Sequence, residues 1–252
     1  MKGLYYDHHV AINSRDVDGN GHCRPSALLG HLQEAATLAA ETGGFGRDRL
    51  LQECDGFWML ARMWFRLNRP LHWDEKLTVR TWHRGGKGAV MYRDFDLWCG
   101  DEYVGEAVSG WVLADMQTRK LLRLGAISAL EATDGGDLCK DILLAKIRMP
   151  AELENRDERM MRYSDTDINN HVNNTRYADF ACDALGMERL PKEQFLSSMQ
   201  LGYTAECHAG EMIQMQVGEQ NGDHFVKGVD REGKVRFEVR LTFAPVPDLE
   251  EN

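Results

Sequence analysis

Apolar and polar positions along the 252-residue chain sort into two helical stretches and a longer series of alternating ones. Between Arg24 and Thr42, Leu28, Leu32, Ala35, Ala36 and Ala39 recur at helical spacing. Leu29, Leu38 and Ala40 widen that stripe until it runs nearly all round, which predicts a helix buried on most sides. Pro25 suits the first helical turn and Gly43-Gly44 the C-terminal cap. A shorter helix is expected from Thr175 to Leu185, before Gly186. Alternation predicts strands after each helix: Phe57–Leu67, Lys76–Trp82, Val90–Cys99 and Tyr103–Ala114, then Met199–Cys207, Met212–Val217, Phe225–Asp230 and Val235–Phe243. Turns are expected at Gly100-Asp101, Asn221-Gly222 and Glu232-Gly233. A buried helix followed by a run of antiparallel strands, twice, predicts an α+β architecture of two halves, each a sheet wrapped on a helix.

The halves also share a polar signature. Asp167, Asn169 and His171 stand at two-residue spacing just before the second helix, and Asp18, Asn20 and His22 do the same before the first. From His22 to His171 the offset is 149 residues, so the chain reads as one unit duplicated. The expected organisation is a first domain over 1–130, a linker over 131–159 and a second domain over 160–252. Within the linker, Asp141–Ile147 is expected to form a short helix.

Composition narrows the classes. Hydrophobic and charged fractions of 43% and 28% are those of a globular protein. No apolar run nears the roughly 20 residues of a membrane helix, and the N-terminus has no signal-peptide core. Six scattered cysteines lack zinc-ligand or redox spacing, which suits a reducing cytoplasm. The net charge of −10 opposes general nucleic-acid binding. Neither a metal nor an organic cofactor is expected. His8-His9 and His22 have no partners at ligand spacing.

If the backbone through Asp167, Asn169 and His171 is extended, the three side chains project from one side, and a carboxylate, a carboxamide and an imidazole then converge. Turn-making alone explains an Asp and an Asn there, but it does not require a histidine. Asn173 and Asn174 are placed at the helix N-cap, where free backbone N–H groups are donors for a developing oxyanion. Glu206 and Cys207 close the predicted Met199–Cys207 strand. On a regular strand only one of the two faces the site. Glu206 is a candidate base for water, and Cys207 a candidate nucleophile given a nearby histidine. Aligning Trp73 with Ala209 places Pro70 opposite Glu206, so one working site is expected, in the second half. Trp58, Trp64, Trp82, Trp98 and Trp111 read as strand packing, and Met59, Met63 and Met91 as core. A methionine-lined tunnel would also suit an acyl chain.

With Asp167-Ile-Asn169-Asn-His171-Val-Asn-Asn174, Tyr177 and Tyr203-Thr-Ala-Glu206-Cys207 in view, the chain resembles the acyl-acyl-carrier-protein thioesterases of plastids and bacteria. Further matches are His31-Leu-Gln-Glu-Ala-Ala36, Gly43-Gly-Phe-Gly46, Arg62-Met63, and Trp111-Val-Leu with Thr118-Arg-Lys. The resemblance implies two tandem hotdog domains, a non-catalytic N-terminal one shaping the acyl pocket and a catalytic C-terminal one. It implies a bacterial enzyme of fatty-acid biosynthesis that hydrolyses fatty acyl chains from the 4'-phosphopantetheine of acyl carrier protein. Asp167, Asn169, His171 and Glu206 carry over as catalytic, while Cys207 matches a cysteine whose standing the family leaves open. In one route Glu206 activates water; in the other His171 activates Cys207 while Asn169 orients the ring. Trp58, Met59, Met63, Asn173 and Asn174 are candidate substrate contacts. Arg159, Arg162, Arg176 and Lys192 are candidates for docking the acidic carrier. A monomer or a homodimer is expected, acting on neither nucleic acid nor membrane. The rival readings are an acyl-CoA thioesterase, a hotdog hydratase or dehydratase, and an acyl-thioester-binding module without chemistry.

Overall fold

The computed structural model describes residues 5–123, 140 and 142–247. These residues divide into two compact units. The first takes those of Met1–Ala11, Gly30–Trp64 and Glu75–Leu144, and the second those of Ile12–Leu29, Phe65–Asp74 and Ala145–Asn252. The units therefore alternate along the sequence, a feature that local hydrophobic pattern does not encode.

Helix α1 (Pro25–Gly43) begins at the expected proline. Leu28, Leu29, Leu32, Ala35, Ala36, Ala39 and Ala40 are buried, while Glu34, Thr37 and Glu41 keep one side exposed. Helix α2 (Arg47–Cys54) and strand β1 (Tyr6–Ala11) lie outside the pattern-based expectation. Of α2 only Leu50 is buried, and the half-buried β1 shows no clean alternation. Strands β2 (Gly56–Leu67), β3 (Lys76–Lys87), β4 (Val90–Cys99) and β5 (Glu102–Asp115) follow, with β3 running five residues past its expected end at Trp82. Their order in the sheet is β1-β3-β4-β5-β2, and the β1–β3, β3–β4 and β4–β5 pairs are antiparallel. Ala40, Phe45, Leu50, Met91 and Leu113 form a core cluster with Trp58 and Trp111 packed against it.

The second set repeats the first: β6 (Glu154–Met160), α3 (Arg176–Leu185), β7 (Gln194–Tyr203), β8 (Met212–Gln220), β9 (Asp223–Asp230) and β10 (Val235–Pro245). Their order is β6-β8-β9-β10-β7, and every adjacent pair is antiparallel. Strand for strand this is the order of the first set, so the duplication inferred from two histidines extends to the whole topology. All of strand β6 but its last residue falls inside the expected linker, because Glu-Asn-Arg-Asp-Glu-Arg-Met carries no apolar alternation. It pairs through backbone with β8 instead. The expected helix over Asp141–Ile147 does not form across 142–147, and Asp141 lies outside the described residues.

Tyr177, Ala178, Phe180, Ala181 and Ala184 form the buried face of α3, at the spacing of a single helical stripe. The Tyr177 ring meets Phe237 of β10 at 4.8 Å. Phe180 and Phe237 are 1% and 0% exposed, each stabilising the unit by about 1.5–3 kcal/mol through burial. Gly186 caps α3 in the left-handed conformation (φ 69°), as the sequence predicts. No helix among the described residues is long and apolar enough to cross a membrane.

Candidate active site

The Asp167–His171 segment is not extended. Thr166 bridges Val172, the Asp167 N–H donates to the His171 carbonyl (2.9 Å), and the Asn170 N–H donates to the Asp167 carbonyl (2.9 Å). The Asp167 carboxylate accepts from the Asn169 N–H at 2.8 Å, a turn built by a side chain mimicking backbone. The sequence repeat builds the same loop at Val17–Cys23, where the Asp18 carboxylate accepts from the Asn20 N–H at 2.8 Å. Asp167 thus shapes the loop and reaches His171 through the backbone, while Asn169 stays exposed. Residue 170 has φ 60° and its counterpart Gly21 has φ 78°. Asparagine and glycine tolerate that conformation, and a β-branched residue does not. Asn170→Gly is expected to melt with the parent, while Asn170→Val costs about 1–2 kcal/mol of stability. Equal thermal melts for the two variants would refute this assignment.

A second loop brings the base. Strand β7 ends at Tyr203, four residues short of its expected end, so Glu206 and Cys207 lie on a loop. The Val172 N–H donates to the Cys207 carbonyl at 2.8 Å, which ties this loop to the histidine loop. Arg236 holds the Glu206 carbonyl from the other side at 2.5 Å. Glu206 Oε1 then lies 3.2 Å from His171 Nδ1, its side chain 36% exposed and the imidazole 16% exposed. Cys207 faces the opposite way and is fully buried. Burial pushes its thiol up, so it is not a ready thiolate, and the neighbouring Tyr177 hydroxyl opposes that rise.

His208, absent from the sequence-based candidates, packs edge-on against His171 with ring centroids 4.9 Å apart, and its Nδ1 is 3.4 Å from the Asn170 carbonyl. The first copy repeats the pair: His22 and His72 stand at 5.4 Å, with His72 Nδ1 3.3 Å from the Gly21 carbonyl. Likewise the Cys23 N–H donates to the Leu71 carbonyl at 2.7 Å, as Val172 does to Cys207. This backbone correspondence sets Pro70 opposite Glu206. Both copies keep the histidine pair, and the C-terminal one has Glu206 where the first has Pro70.

Beneath the loop sits Asp165, also missed from sequence, 1% exposed and ion-paired to Arg176 (3.2 Å) and Arg159 (3.7 Å). Its Oδ2 accepts from the Arg162 N–H at 2.8 Å and its carbonyl from the Asn173 N–H at 2.8 Å. Asp16 makes the matching contacts to Asn13 and Arg24, so the repeat offset of 149 residues was the signal that could have found Asp165.

Other expected residues separate. Arg159 and Arg176, expected to dock a carrier, are committed to Asp165, Asp183 and Asp179, whereas Arg162 and Lys192 are exposed. The α3 cap residue is Thr175 rather than either asparagine. Asn173 Oδ1 takes the Thr175 N–H (2.9 Å), its carbonyl takes the Arg176 N–H (3.0 Å), and the Asn174 carbonyl takes the Tyr203 hydroxyl (3.1 Å). Those two helix-start N–H groups are therefore already used. Trp58, Met59 and Met63 lie on β2, Met63 1% exposed and Trp58 donating to the Phe45 carbonyl at 3.1 Å. His9 bonds Thr78 across β1–β3 at 3.0 Å.

Comparison with known proteins agrees with this architecture. Residues 3–126 match the acyl-ACP thioesterase N-terminal domain and residues 149–244 the acyl-ACP thioesterase C-terminal domain. Acyl-[acyl-carrier-protein] hydrolase FATB2, chloroplastic, of Cuphea viscosissima is 29% identical over 81% of this chain and 53% of its own length. Palmitoyl-acyl carrier protein thioesterase, chloroplastic, of Arabidopsis thaliana is 27% identical over 84% and 54%. The chain spans about half the length of these curated relatives. An acyl-ACP thioesterase structure from Bacteroides thetaiotaomicron covers 96% of this chain and 98% of its own at TM-score 0.80 and 23% identity. The 12:0-ACP thioesterase from Umbellularia californica covers 97% and 99% at 0.77 and 22%, so the fold is the α+β hotdog of these proteins. With both of its domains matched in order, the chain belongs to the acyl-ACP thioesterase family.

Proposed function

We propose that this chain hydrolyses the thioester of fatty acyl chains carried on the 4'-phosphopantetheine of acyl carrier protein, releasing free fatty acid. The observation that carries the reading is the Glu206–His171 pair at 3.2 Å, half-open to water, in the one copy that has the carboxylate. Glu206 takes a proton from water and the hydroxyl adds to the thioester carbonyl carbon. The C–S bond then breaks and the sulfur leaves with the proton. His171 positions Glu206 and shares the proton, Asp167 fixes the turn that presents His171, and the exposed Asn169 carboxamide is the nearby donor for the oxyanion. Loss of such a donor typically costs about 100–1000-fold. Burial of Cys207 supports the water route over a thiolate nucleophile. The N-terminal residues Trp58, Met59 and Met63 are assigned to the acyl chain. Cys23, Cys54, Cys99, Cys182 and Cys207 form no disulfide among the described residues, in keeping with a reducing compartment such as the cytoplasm.

With Arg159 and Arg176 neutralised internally, carrier docking falls to Arg162 and Lys192. Thiol release from a series of acyl carriers and the matching acyl-CoA esters tests both claims. Turnover is expected on the carrier-bound chains. Arg162→Glu with Lys192→Glu is expected to raise KM for the carrier form and leave the CoA form unchanged. No thiol from any acyl thioester overturns the enzymatic reading, and equal KM changes overturn the docking assignment.

A further inference from the structure

We propose that His171, Glu206 and His208 form a binding site for one divalent transition ion of the zinc class, and that the bound ion silences the site. Each residue offers one ligand atom, and the three atoms lie within 4.8 Å of one another. Two imidazoles and a carboxylate are the donor set such ions prefer, and three protein ligands leave a fourth position for water. Bonds of about 2.0–2.2 Å in tetrahedral array put ligand atoms roughly 3.4 Å apart. Glu206 and His171 already stand at 3.2 Å.

His208 is the member that must close the remaining gap, and it is the freest to do so. Its side chain is exposed, and its ring contacts the Asn170 carbonyl at 3.4 Å and packs edge-on with His171. The backbone beneath is already tied in place. The Val172–Cys207 bond joins the two loops, and the His208 N–H is held by Glu211 at 2.9 Å. The duplication supplies an internal comparison: His22 and His72 repeat the imidazole pair at 5.4 Å, with Pro70 in the place of Glu206. Glu206 completes a three-ligand set with His171 and His208, the set of ligand atoms found together among the described residues.

An ion held there occupies the lone pairs of Glu206 and His171 that hydrolysis requires. The inhibitory consequence rests on the thioesterase reading, whereas binding itself does not. Titration of the purified chain with Co²⁺ measures binding without activity. One equivalent is expected to develop visible bands of a low-coordinate nitrogen- and oxygen-ligated ion, displaced by Zn²⁺ and erased by a chelator. Losing a supporting contact around a metal costs about 10–100-fold in affinity, so losing a ligand in His208→Gln should weaken Co²⁺ by at least about tenfold. His72→Gln is expected to leave the affinity unchanged. Absence of the bands, their persistence at parental affinity in His208→Gln, or an intense sulfur-to-cobalt charge-transfer band overturns the site. In the thiol-release assay, Zn²⁺ is expected to inhibit the parent, and His208→Gln to need at least tenfold more Zn²⁺ for half-inhibition of its own metal-free rate. Bands without any thioester hydrolysis would leave the metal site standing and sink the thioesterase reading instead.

Discussion

Glu206→Gln is expected to lower kcat for acyl-carrier hydrolysis by about 10²–10⁴-fold, the usual contribution of a positioned general base. Glutamine keeps the shape and a carbonyl oxygen for His171, but it cannot take a proton from water. The Glu206 side chain is 36% exposed and held on a loop by backbone contacts, so the melting temperature should stay near that of the parent. Cys207→Ala separates the two chemical routes. The thiol is buried against Tyr177, so its removal trims the packing and is expected to leave kcat within a few-fold. The thiol's pKa is raised by burial, which keeps it protonated and poorly nucleophilic at neutral pH. Near-full activity in Glu206→Gln together with loss in Cys207→Ala would reverse the assignment and make Cys207 the nucleophile.

The strands that carry the core were legible from their apolar residues. In β3 Leu77, Val79 and Thr81 are buried at period two, whereas β4 and β5 bury consecutive residues and were legible as apolar-rich runs between turns. Strands β1 and β6 were invisible for one physical reason: Tyr-Asp-His-His-Val-Ala and Glu-Asn-Arg-Asp-Glu-Arg-Met are held by backbone pairing at a sheet edge, not by an apolar face. The second copy's distinction from the first was readable from Glu206 against Pro70, and the backbone bonds of Cys207 and Leu71 follow the same alignment. The geometry of Asp167, Asn169 and His171 was not. Two-residue spacing means one face only on an extended chain, and here an aspartate-made turn and the positive φ of Asn170 fold the segment back. His208 was hidden because its partners Asn170 and His171 lie far away in sequence, and Asp165 because its nearby partners Arg159, Arg162 and Arg176 form no spacing that marks a buried ion cluster. The repeat nevertheless marks both, at His72 and Asp16.

Asp165→Ala is expected to destabilise the chain by about 3–5 kcal/mol, because it strips one partner from a buried ionic cluster. The carboxylate is 1% exposed, faces Arg176 and Arg159, and receives the Arg162 N–H, so alanine removes an ion-pair partner and a backbone acceptor together. For a protein of this size that corresponds to a fall in Tm of roughly 10 °C or more. Asp165→Asn should fall less, since its carbonyl oxygen still accepts from Arg162 while Arg176 keeps Asp179 and Arg159 keeps Asp183. The same loop carries His171, so Asp165→Asn should also show a lower kcat at temperatures below its melting range. The direct measurement is thermal unfolding of the three proteins side by side. An Asp165→Ala melt close to the parent's would mean that Asp165 is not the anchor, and that the Asx turn alone holds the histidine in place.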